Sequence, residues 1–351
     1  MARVMICSPE EIIPGKRKEK TYVFLAGPIQ GVHDWQSEDI PDIGDDVIFI
    51  NPRRRVHPDP SFNWKEQVDW ETAALRVSDY ILFWVPKEEI VIPGRDYAQT
   101  TKIELMENLV RGKNIVLGIH PEVHTRRYLV EKFKAYTGRD VHSDLPGCLR
   151  ELREMIDSRN QKKETWFTSD THFGSQRTLE LSKRPFLGVE EMNWTMVERW
   201  NKVVSPESEV IHLGDFGDYK WARYLNGKIK LLYGNYERKE GEDIPRNSLE
   251  SYNVTVLKPN ILALKVRGFN EDPNFKLILG HEPTNVLRYL NEHDSDDGAW
   301  AVFGHIHGRQ RIKKFGVDVG VDCNNFYPIS LQDLKFYFNA INKHYDEEVW
   351  S

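Results

Sequence analysis

Five apolar runs in the second half of the chain each lead into a short polar motif. The runs are residues 166–168, 209–213, 229–233, 276–279 and 301–303, and the motifs after them are Asp170-x-His172, Gly214-Asp215, Gly234-Asn235, Gly280-His281 and Gly304-His305-x-His307. Short apolar runs bounded by glycine and polar residues are typical of buried strands. Loops after neighbouring strands can meet at one edge of a sheet, so this pattern predicts one shared site.

The side chains of these motifs form a mixed nitrogen and oxygen ligand set. The candidate metal ligands are Asp170, His172, Asp215, Asn235, His281, His305 and His307. Such a set, without sulfur, suits manganese, iron, zinc, nickel or magnesium. Seven ligands are too many for one ion, but they suit two divalent ions that share a carboxylate, for which we expect Asp215. Two ions about 3.5–4 Å apart can clamp a phosphoryl oxygen and activate an attacking water.

Charge and cysteine usage narrow the class of protein. The net charge of −6 disfavours a broad surface for long nucleic acid or for an anionic membrane. The three cysteines are far apart and form no paired motif, which is typical of a reducing cytoplasm. No long apolar segment precedes residue 16, so we expect no signal peptide or membrane anchor and a cytoplasmic location.

The length of 351 residues suggests two domains. In the first half, expected strands at 22–26, 47–50, 79–86 and 114–118 alternate with expected helices at 64–77 and 102–111. This alternation predicts an α/β domain, a doubly wound parallel sheet with ligands at the carboxyl ends of its strands. We assign residues 1–20 to an N-terminal extension, 21–156 to this domain, 157–164 to a linker and 165–351 to the second domain.

Two glutamates and one glycine-containing loop are the candidate functional residues of the first domain. Glu104 falls in the first turns of an expected helix, where the helix dipole favours an ionised carboxylate that could attack a sugar carbon. Glu71 could be the partner acid or could accept a hydrogen bond from a sugar hydroxyl. The loop from Gly27 to Gly31 follows a buried strand, where backbone amides can meet a phosphate or sugar.

Several motifs of the first domain, within about residues 20–135, resemble one family. They are Phe24-Leu25-Ala26-Gly27-Pro28, Gln67-x-x-Trp70-Glu71, Ser78-Asp79-Tyr80-Ile81-Leu82-Phe83-Trp84-Val85-Pro86 and Thr100-Thr101-x-x-Glu104. The family is the nucleoside 2-deoxyribosyltransferases, in the branch with a Phe-Trp-Val-Pro strand. The resemblance implies that Glu104 cleaves an N-glycosidic bond through a covalent sugar intermediate. It also implies a nucleoside or nucleotide substrate held by Gly27, Gln30, Gly31, Asp79 and Thr101, and it is compatible with a homo-oligomer.

One departure from that family keeps a second interpretation open. The family usually places a small residue soon after the nucleophilic glutamate, whereas Leu105-Met106-Glu107 follow Glu104. In the alternative, the first domain binds a nucleotide without cleaving it and regulates the second domain.

The motifs of the second domain resemble the calcineurin-like metallophosphoesterases over about residues 164–335. Arg184-Pro185-Phe186, Trp200-Asn201 and Gly320-Val321-Asp322 resemble a bacterial and phage subgroup of that family. The resemblance implies an α+β four-layer fold, two packed sheets flanked by helices, and two-metal hydrolysis of a phosphate ester. Together the two resemblances imply a bifunctional enzyme of nucleotide metabolism. A nuclease or a cyclic-nucleotide phosphodiesterase remains an alternative, because two-metal sites serve these reactions too.

The second domain also departs from its family at one position. The family has a histidine after Gly-Asn, whereas Tyr236 and then Glu237 follow Gly234-Asn235 here. That histidine can protonate the leaving group, and a phenol is a much weaker acid near neutral pH. We therefore expect activity to favour activated or phenolic esters. Four basic side chains near the motifs are candidates for holding a substrate phosphate: Arg238 and Arg309, and also Arg184 and Lys239.

Overall fold

The computed structural model describes residues 4–10, 20–55, 62–239, 249, 252, 254–257, 260–266, 275–293 and 299–344. Within the chain, two compact units are distinguished, Met1–Arg159 and Asn160–Ser351. The division falls inside residues 157–164, which we predicted to be a linker. Among the described residues, no helix combines the length and the apolar character that a membrane crossing requires.

The first unit is built on a parallel sheet of five strands in the order β1-β3-β2-β4-β5. The strands are β1 Val4–Cys7, β2 Thr21–Ala26, β3 Val47–Asn51, β4 Tyr80–Val85 and β5 Ile115–Ile119. The predicted strands match β2 to β5 to within one residue, and the α/β prediction is confirmed. Strand β2 lies between β3 and β4, so the chain runs from β2 to its neighbour on one side and then crosses to its neighbour on the other side. The crevice at the carboxyl end of β2 is therefore a switch point, where such sheets bind ligands.

The predicted N-terminal extension is corrected by strand β1. Its residues pair in register with β3, Val4 opposite Ile48 through Cys7 opposite Asn51. A run of four apolar residues between polar neighbours was too short to identify as a strand from its pattern. Because Ile6 and Cys7 are buried, this segment belongs to the sheet rather than to the periphery.

Helices cover both faces of this sheet. They are α1 Trp35–Glu38, α2 Trp64–Val77, α3 Gln99–Val110, α4 Arg126–Thr137 and α5 Leu145–Gln161. Side chains of α2, α3 and α4 join Phe24 and Phe83 in one core cluster. Those of α1 and α5 join Leu25 and Leu82 in another, on the opposite face. The unit is thus doubly wound. Since α5 extends to Gln161, the first residues of the predicted linker are helical.

The second unit contains two mixed sheets, in the orders β15-β6-β7-β8-β9 and β10-β11-β12-β14-β13. The strands are β6 Thr165–Thr168, β7 Glu209–His212, β8 Lys228–Leu231, β9 Val254–Val256, β10 Ile261–Lys265, β11 Lys276–Gly280, β12 Trp300–Phe303, β13 Ile312–Lys313, β14 Gly316–Asp318 and β15 Ile329–Ser330. In the first sheet β6 to β9 are parallel and β15 is antiparallel. In the second sheet β11, β12 and β14 are parallel, with β10 and β13 antiparallel at the edges.

Core clusters define the layers of the second unit. The helices are α6 Gln176–Leu181, α7 Val189–Val203, α8 Asn235–Lys239, α9 Pro283–His293 and α10 Leu331–His344, and short 3-10 helices span Tyr219–Tyr224 and Val321–Cys323. Phe167 and Ile211 of the first sheet pack with Leu277 and Val302 of the second. Helix α7 packs on the outer face of the first sheet and α9 on that of the second. The arrangement is compatible with the predicted α+β fold of two packed sheets flanked by helices.

Candidate functional site

A cavity of about 430 Å³ lies at the switch point of the first unit. Residues 27–30, residues 95–101, Glu71 and Glu104 are among those that line it. Helix α3 begins beside it after Ala98, whose φ of 54° turns the chain sharply into the helix. The positive end of the helix dipole and the side chains of Thr101 and Glu104 therefore share this cavity.

Burial shifts the pKa of both glutamates in the cavity upward. Burial raises the pKa of Glu104 to about 8, and the negative charges of Glu71 and Glu107 add to the effect. Burial also raises the pKa of Glu71, against a hydrogen bond from Gln67 that lowers it. We expected the helix dipole to keep Glu104 ionised, but burial and the neighbouring carboxylates outweigh the dipole. The carboxyl pair therefore holds a proton at neutral pH.

Gln67 positions the second of these glutamates. Its side-chain amide donates to Glu71 Oε1 at 2.8 Å and to the carbonyl of Pro52 at 2.9 Å. Its carbonyl oxygen accepts from Ser8 Oγ at 2.7 Å and from Arg54 Nε at 3.2 Å. The sequence shows Gln67 only as the first residue of the Gln67-x-x-Trp70-Glu71 motif. Its role depends on contacts with residues far away in the sequence, which the motif does not contain.

The loop after β2 needs glycine for close packing. A Cβ on Gly27 would lie 2.3 Å from the carbonyl oxygen of Trp84. Gly31 has φ 72°, and its carbonyl accepts hydrogen bonds from the backbone of Glu89 and Ile90 at 2.8 and 3.1 Å. Gly27 lines the cavity, whereas the contacts of Gly31 fasten the loop to its neighbour.

Arg95 is a cavity residue that the motifs missed. It lines the cavity and donates to Oε1 of Gln30, another lining residue. The signal in the sequence was only a loop containing Pro93-Gly94-Arg95, which is equally typical of an exposed turn.

Asp79, predicted to bind substrate, lies at the other end of the sheet. It precedes β4, and its carboxylate accepts from the backbone N–H of Tyr22 at 2.9 Å, at the amino end of β2. It also pairs with Arg159 at 3.0 Å and is almost fully buried. Because ligand-binding loops lie at the carboxyl ends, the structure gives Asp79 a structural role.

The bulky residues after Glu104 point away from the cavity. Leu105 is buried in the core beneath helix α3, and Met106 packs against the same cluster. Glu107 forms an exposed ion pair with Arg111 at 2.6 Å. The departure from the family pattern at these positions therefore does not fill the space beside Glu104.

In the second unit the seven candidate ligands meet at the ends of the strands. Asp170, His172 and His307 form one group in which the potential ligand atoms lie within 4.8 Å of one another. Asp170, Asp215 and His281 form a second group by the same measure. The two groups share Asp170, so the structure brings together two adjacent sets of side chains, each of which could hold a cation.

The remaining candidates complete the second group. Asn235 Oδ1 lies 2.8 Å from His281 Nε2 and 3.1 Å from His305 Nδ1. Asp215 Oδ2 is 3.4 Å from His172 Nε2 and 3.5 Å from His281 Nε2, one imidazole from each group. Asp215, which we expected to bridge, and Asp170 are therefore both placed between the two positions.

The donor atoms at this centre fit divalent metal ions. Among the described residues, the buried Asp170 Oδ1 and His172 Nε2 have no hydrogen-bond partner. Burial lowers the pKa of His172 to about 4, so its imidazole is neutral near pH 7 and can donate a lone pair. Buried polar atoms are rarely left unpaired unless they serve a ligand, a water or an ion. A hard or borderline cation would satisfy these oxygens and nitrogens together.

The imidazole of His281 and the carboxylate of Asp215 stabilise each other's charged forms. Burial opposes ionisation of Asp215, but the hydrogen bond and charge of His281 hold the pKa of that carboxyl at about 2. Burial also opposes charge on His281, yet Asp215 and Asp170 raise the pKa of the imidazole to about 9. The centre thus favours a positive charge beside its two carboxylates.

The backbone at five of the seven ligands is in the left-handed region. Their φ angles are 58° at Asp170, 46° at His172, 57° at Asp215, 75° at His305 and 46° at His307. Non-glycine residues with positive φ are uncommon and cost of order 1–3 kcal/mol each, and they cluster at functional sites. The sequence pattern gave no sign of this conformation.

Glu237 fixes the two loops that carry Asp215 and Asn235. Its buried carboxylate accepts from the backbone N–H groups of Asp215 at 2.9 Å, Phe216 at 2.8 Å and Gly234 at 2.8 Å. A Cβ on Gly214 would lie only 2.3 Å from the backbone nitrogen of Gly234, so the loops touch at that point. The acid after Tyr236 is therefore part of the scaffold.

Tyr236 lies beside the ligand groups. Its ring makes an edge contact with His172, with centroids 4.8 Å apart, and Arg177 lies 3.5 Å from its hydroxyl. Its backbone N–H donates to Asp215 Oδ1 at 2.9 Å. The side chain is thus close enough to the ligands to meet a bound substrate.

The three candidate phosphate-binding arginines differ in their surroundings. Arg238 lies near Glu282, at 3.8 Å, and lines a cavity of about 240 Å³ that also contacts His281. Arg309 is exposed at the end of the Gly304–His307 loop. Arg184 is buried and its guanidinium is fully engaged by protein groups, which excludes the phosphate role that we expected for it.

Comparison with known proteins identifies the first unit. Residues 20–121 match the family described as "Nucleoside 2-deoxyribosyltransferase like". The first unit therefore contains a nucleoside 2-deoxyribosyltransferase-like domain, which confirms that resemblance.

Two further proteins and one solved structure are each similar to about half of the chain. The chain is 30% identical over 184 residues to the uncharacterised protein MJ1445 of Methanocaldococcus jannaschii, covering 48% of this chain and 88% of that protein. The chain belongs to the same family as MJ1445. It is 27% identical over 189 residues to the gene 66 protein of Mycobacterium phage L5, covering 45% of this chain and 86% of that protein. A crystal structure of AQ665 from Aquifex aeolicus, a protein of unknown function, aligns with 21% identity and a TM-score of 0.38 over 50% of this chain and 99% of that chain.

The raised pKa of Glu104 predicts a pH-dependent stability difference. Its folded-state pKa of about 8 exceeds the ordinary value of 4.5, so wild-type protein loses stability as pH rises between these values. Glu104→Gln does not titrate. We expect its melting temperature to exceed that of wild type by an amount that grows from pH 5 to pH 8 and reaches about 2–5 °C. Scanning calorimetry measures this, with Glu154→Gln, an exposed change on α5, as control. A difference that is the same at every pH would contradict the assignment.

Proposed function

We propose that the second unit is a metal-dependent phosphoesterase of the calcineurin-like type. The observation that carries this proposal is the pair of buried ligand groups that share Asp170. Asp170, His172 and His307 would hold one divalent ion, and Asp215, Asn235, His281 and His305 would hold the second together with Asp170. When bound, such ions stabilise the negative charge that develops on a phosphoryl group. Manganese, iron, zinc, nickel and magnesium all suit these donors.

The protein groups around the ions would orient the reaction. Glu237 holds the loops of Asp215 and Asn235 in place through three backbone N–H groups, so little rearrangement is needed on substrate binding. Tyr236 would donate a hydrogen bond to the ester, and it would be a weak acid toward the leaving group. Arg238 is the basic side chain best placed to meet a substrate beside His281.

We infer that the first unit cleaves the N-glycosidic bond of a deoxynucleoside or its monophosphate. The carboxylate of Glu104 would form a bond to the sugar carbon as the bond to the base breaks. The proton held by the Glu71–Glu104 pair would pass to the departing base, and water or a second base would then release the sugar. The proposal is supported by the family match over residues 20–121 and by the presence of both carboxyls in one cavity.

The two proposed reactions fit one bifunctional enzyme of nucleotide metabolism. A single observation favours the alternative, in which the first unit senses a nucleotide. With a pKa of about 8, Glu104 is mostly protonated at neutral pH, and a protonated carboxyl is a poor nucleophile. An assay of base release separates catalysis from sensing.

Metal removal tests the phosphoesterase. Full-length protein is stripped with a chelator and assayed on aryl phosphomonoesters, phosphodiesters, cyclic nucleotides and single-stranded DNA, with and without Mn²⁺. We expect activity only with Mn²⁺, and a loss of at least about 100-fold in Asp170→Asn, since charge stabilisation by the ions is a large part of catalysis. Asp69→Asn, an exposed change on α2, is the control. Activity that survives complete metal removal would overturn the assignment, and the preferred ester distinguishes phosphatase from nuclease.

Tyr236→His tests the leaving-group prediction. An imidazolium can protonate an alkoxide, so the rate on an alkyl phosphate should rise by about tenfold or more. The rate on an aryl phosphate should change by less than about threefold, because a phenolate departs without protonation. Steady-state kinetics on both esters measure this, and the exposed Tyr128→His is the control. Equal changes on both esters would refute the leaving-group explanation.

Glu104→Ala tests the first unit. We expect wild-type protein to release free base from a deoxynucleoside or its monophosphate, and we expect the variant to lose at least about 100-fold in rate because the nucleophile is gone. Release should increase as pH rises through about 8, the pKa of Glu104. Chromatography of the free base measures this, with Glu154→Ala, an exposed change on α5, as control. Tight binding by wild type without any base release would support the sensing alternative instead.

A further inference from the structure

Arg184 connects two parts of the ligand cluster without reaching the ligand atoms. Its side chain is fully buried. The guanidinium donates to the backbone carbonyl of Asp170 at 2.6 Å and to that of Thr171 at 2.9 Å. Its other donors meet the Asp322 carboxylate, Nε to Oδ1 at 2.8 Å and Nη2 to Oδ2 at 2.9 Å. One planar cation thus holds the backbone of the Asp170 loop and the Asp322 carboxylate in fixed relation.

Asp322 extends this connection to a second candidate ligand. His307 Nδ1 donates to Asp322 Oδ2 at 2.9 Å, and Ser182 Oγ lies 3.2 Å from the same nitrogen. A hydrogen bond from Nδ1 leaves Nε2 with its lone pair free for a metal ion. That Nε2 lies 3.9 Å from Asp170 Oδ1. Arg184 and Asp322 therefore orient Asp170 and His307, two members of the same three-residue group.

The backbone conformation of Asp170 and His307 explains why these two residues need the support of Arg184 and Asp322. Asp170 and His307 both have left-handed φ angles, which persist only where surrounding contacts hold them. The second group shares Asp170, but among the described residues its other carboxylate, Asp215, is held by Glu237 rather than by Arg184 and Asp322. Asp215 and His307, which each belong to one group alone, are thus supported by separate hydrogen-bond networks.

We propose that Arg184 and Asp322 are positioning residues for one of the two metal positions, the one formed by Asp170, His172 and His307. They set the affinity of that position for a divalent ion while touching neither ion nor substrate. The inference rests on the proposed metal centre of the second unit and assigns a role to residues outside its ligand set.

Metal titration of the full-length chain tests the proposal. Metal-free wild-type protein is titrated with Mn²⁺ by calorimetry, and two binding events are expected. In Arg184→Lys and in Asp322→Asn, one event should weaken by about 10–100-fold, the usual effect of losing a support for a metal ligand. The other event shares Asp170, so it should weaken less than the first, by under about threefold in Asp322→Asn, where Arg184 still holds the Asp170 backbone. Asp322→Glu should recover part of the affinity, because it keeps the acceptor for His307.

Arg199→Lys is the matched control. Arg199 donates to the backbone of Asn325 at 2.8 Å and lies over Phe326, the same ring that Arg184 approaches. It therefore supports the same loop but has no contact with Asp322, and we expect both Mn²⁺ affinities to match wild type. A weakening equal to that of Arg184→Lys would indicate general loosening of the loop and would overturn the proposal.

A double variant separates positioning from folding. Removing one member of a buried ion pair leaves an unpaired charge, whereas replacing both by apolar residues is often neutral for stability. Without metal, the double variant Arg184→Met/Asp322→Leu should therefore melt at a higher temperature than either Arg184→Met or Asp322→Leu alone. Its weaker Mn²⁺ binding event should nevertheless stay weakened relative to wild type. Two wild-type affinities in this variant would overturn the proposal. Wild-type protein that binds no Mn²⁺ would instead refute the metal centre itself.

Discussion

The burial of Asp170 and Asp215 is the constraint on which the site of the second unit depends. Both carboxylates are essentially inaccessible to solvent, and a buried charge costs several kcal/mol unless it is paired and hydrogen-bonded. Backbone N–H groups of Tyr236 and His305 and the imidazole of His281 supply part of that compensation. These partners follow different strands in the two sheets. The two sheets must therefore pack in one fixed relative position where those strands end, because that packing places the partners of Asp170 and Asp215.

The first unit handles buried carboxyl groups in the opposite way. Glu71 and Glu104 share a cavity, and burial raises the pKa of both carboxyl groups. A bound proton therefore reduces the buried negative charge there. In the second unit the imidazole of His281 carries charge and the carboxyl of Asp215 stays ionised. The same residue types thus produce an environment that can donate a proton in one unit and an environment that attracts a cation in the other.

Local pattern predicted the elements well and the contacts between them poorly. Buried strands such as β2 and β4 are continuous apolar runs bounded by glycine, proline or polar residues, so their position and type follow from the sequence. The candidate ligands could be named because each follows such a run. Asp79 and Arg184 were misassigned because their roles depend on Arg159 and Asp322, which lie 80 and 138 residues away. The protonation of Glu104 was missed for a related reason, since burial is a property of the folded chain.

The left-handed backbone of the ligand loops has a consequence for how their substitution is interpreted. Asparagine, aspartate and histidine adopt this conformation more readily than other side chains apart from glycine. The loops therefore accept few residue types on conformational grounds alone, before any chemistry is considered. Alanine at Asp170 or Asp215 would change both the charge and the preferred backbone angles. Asparagine retains the shape and tolerates the conformation, so it isolates the contribution of the charge.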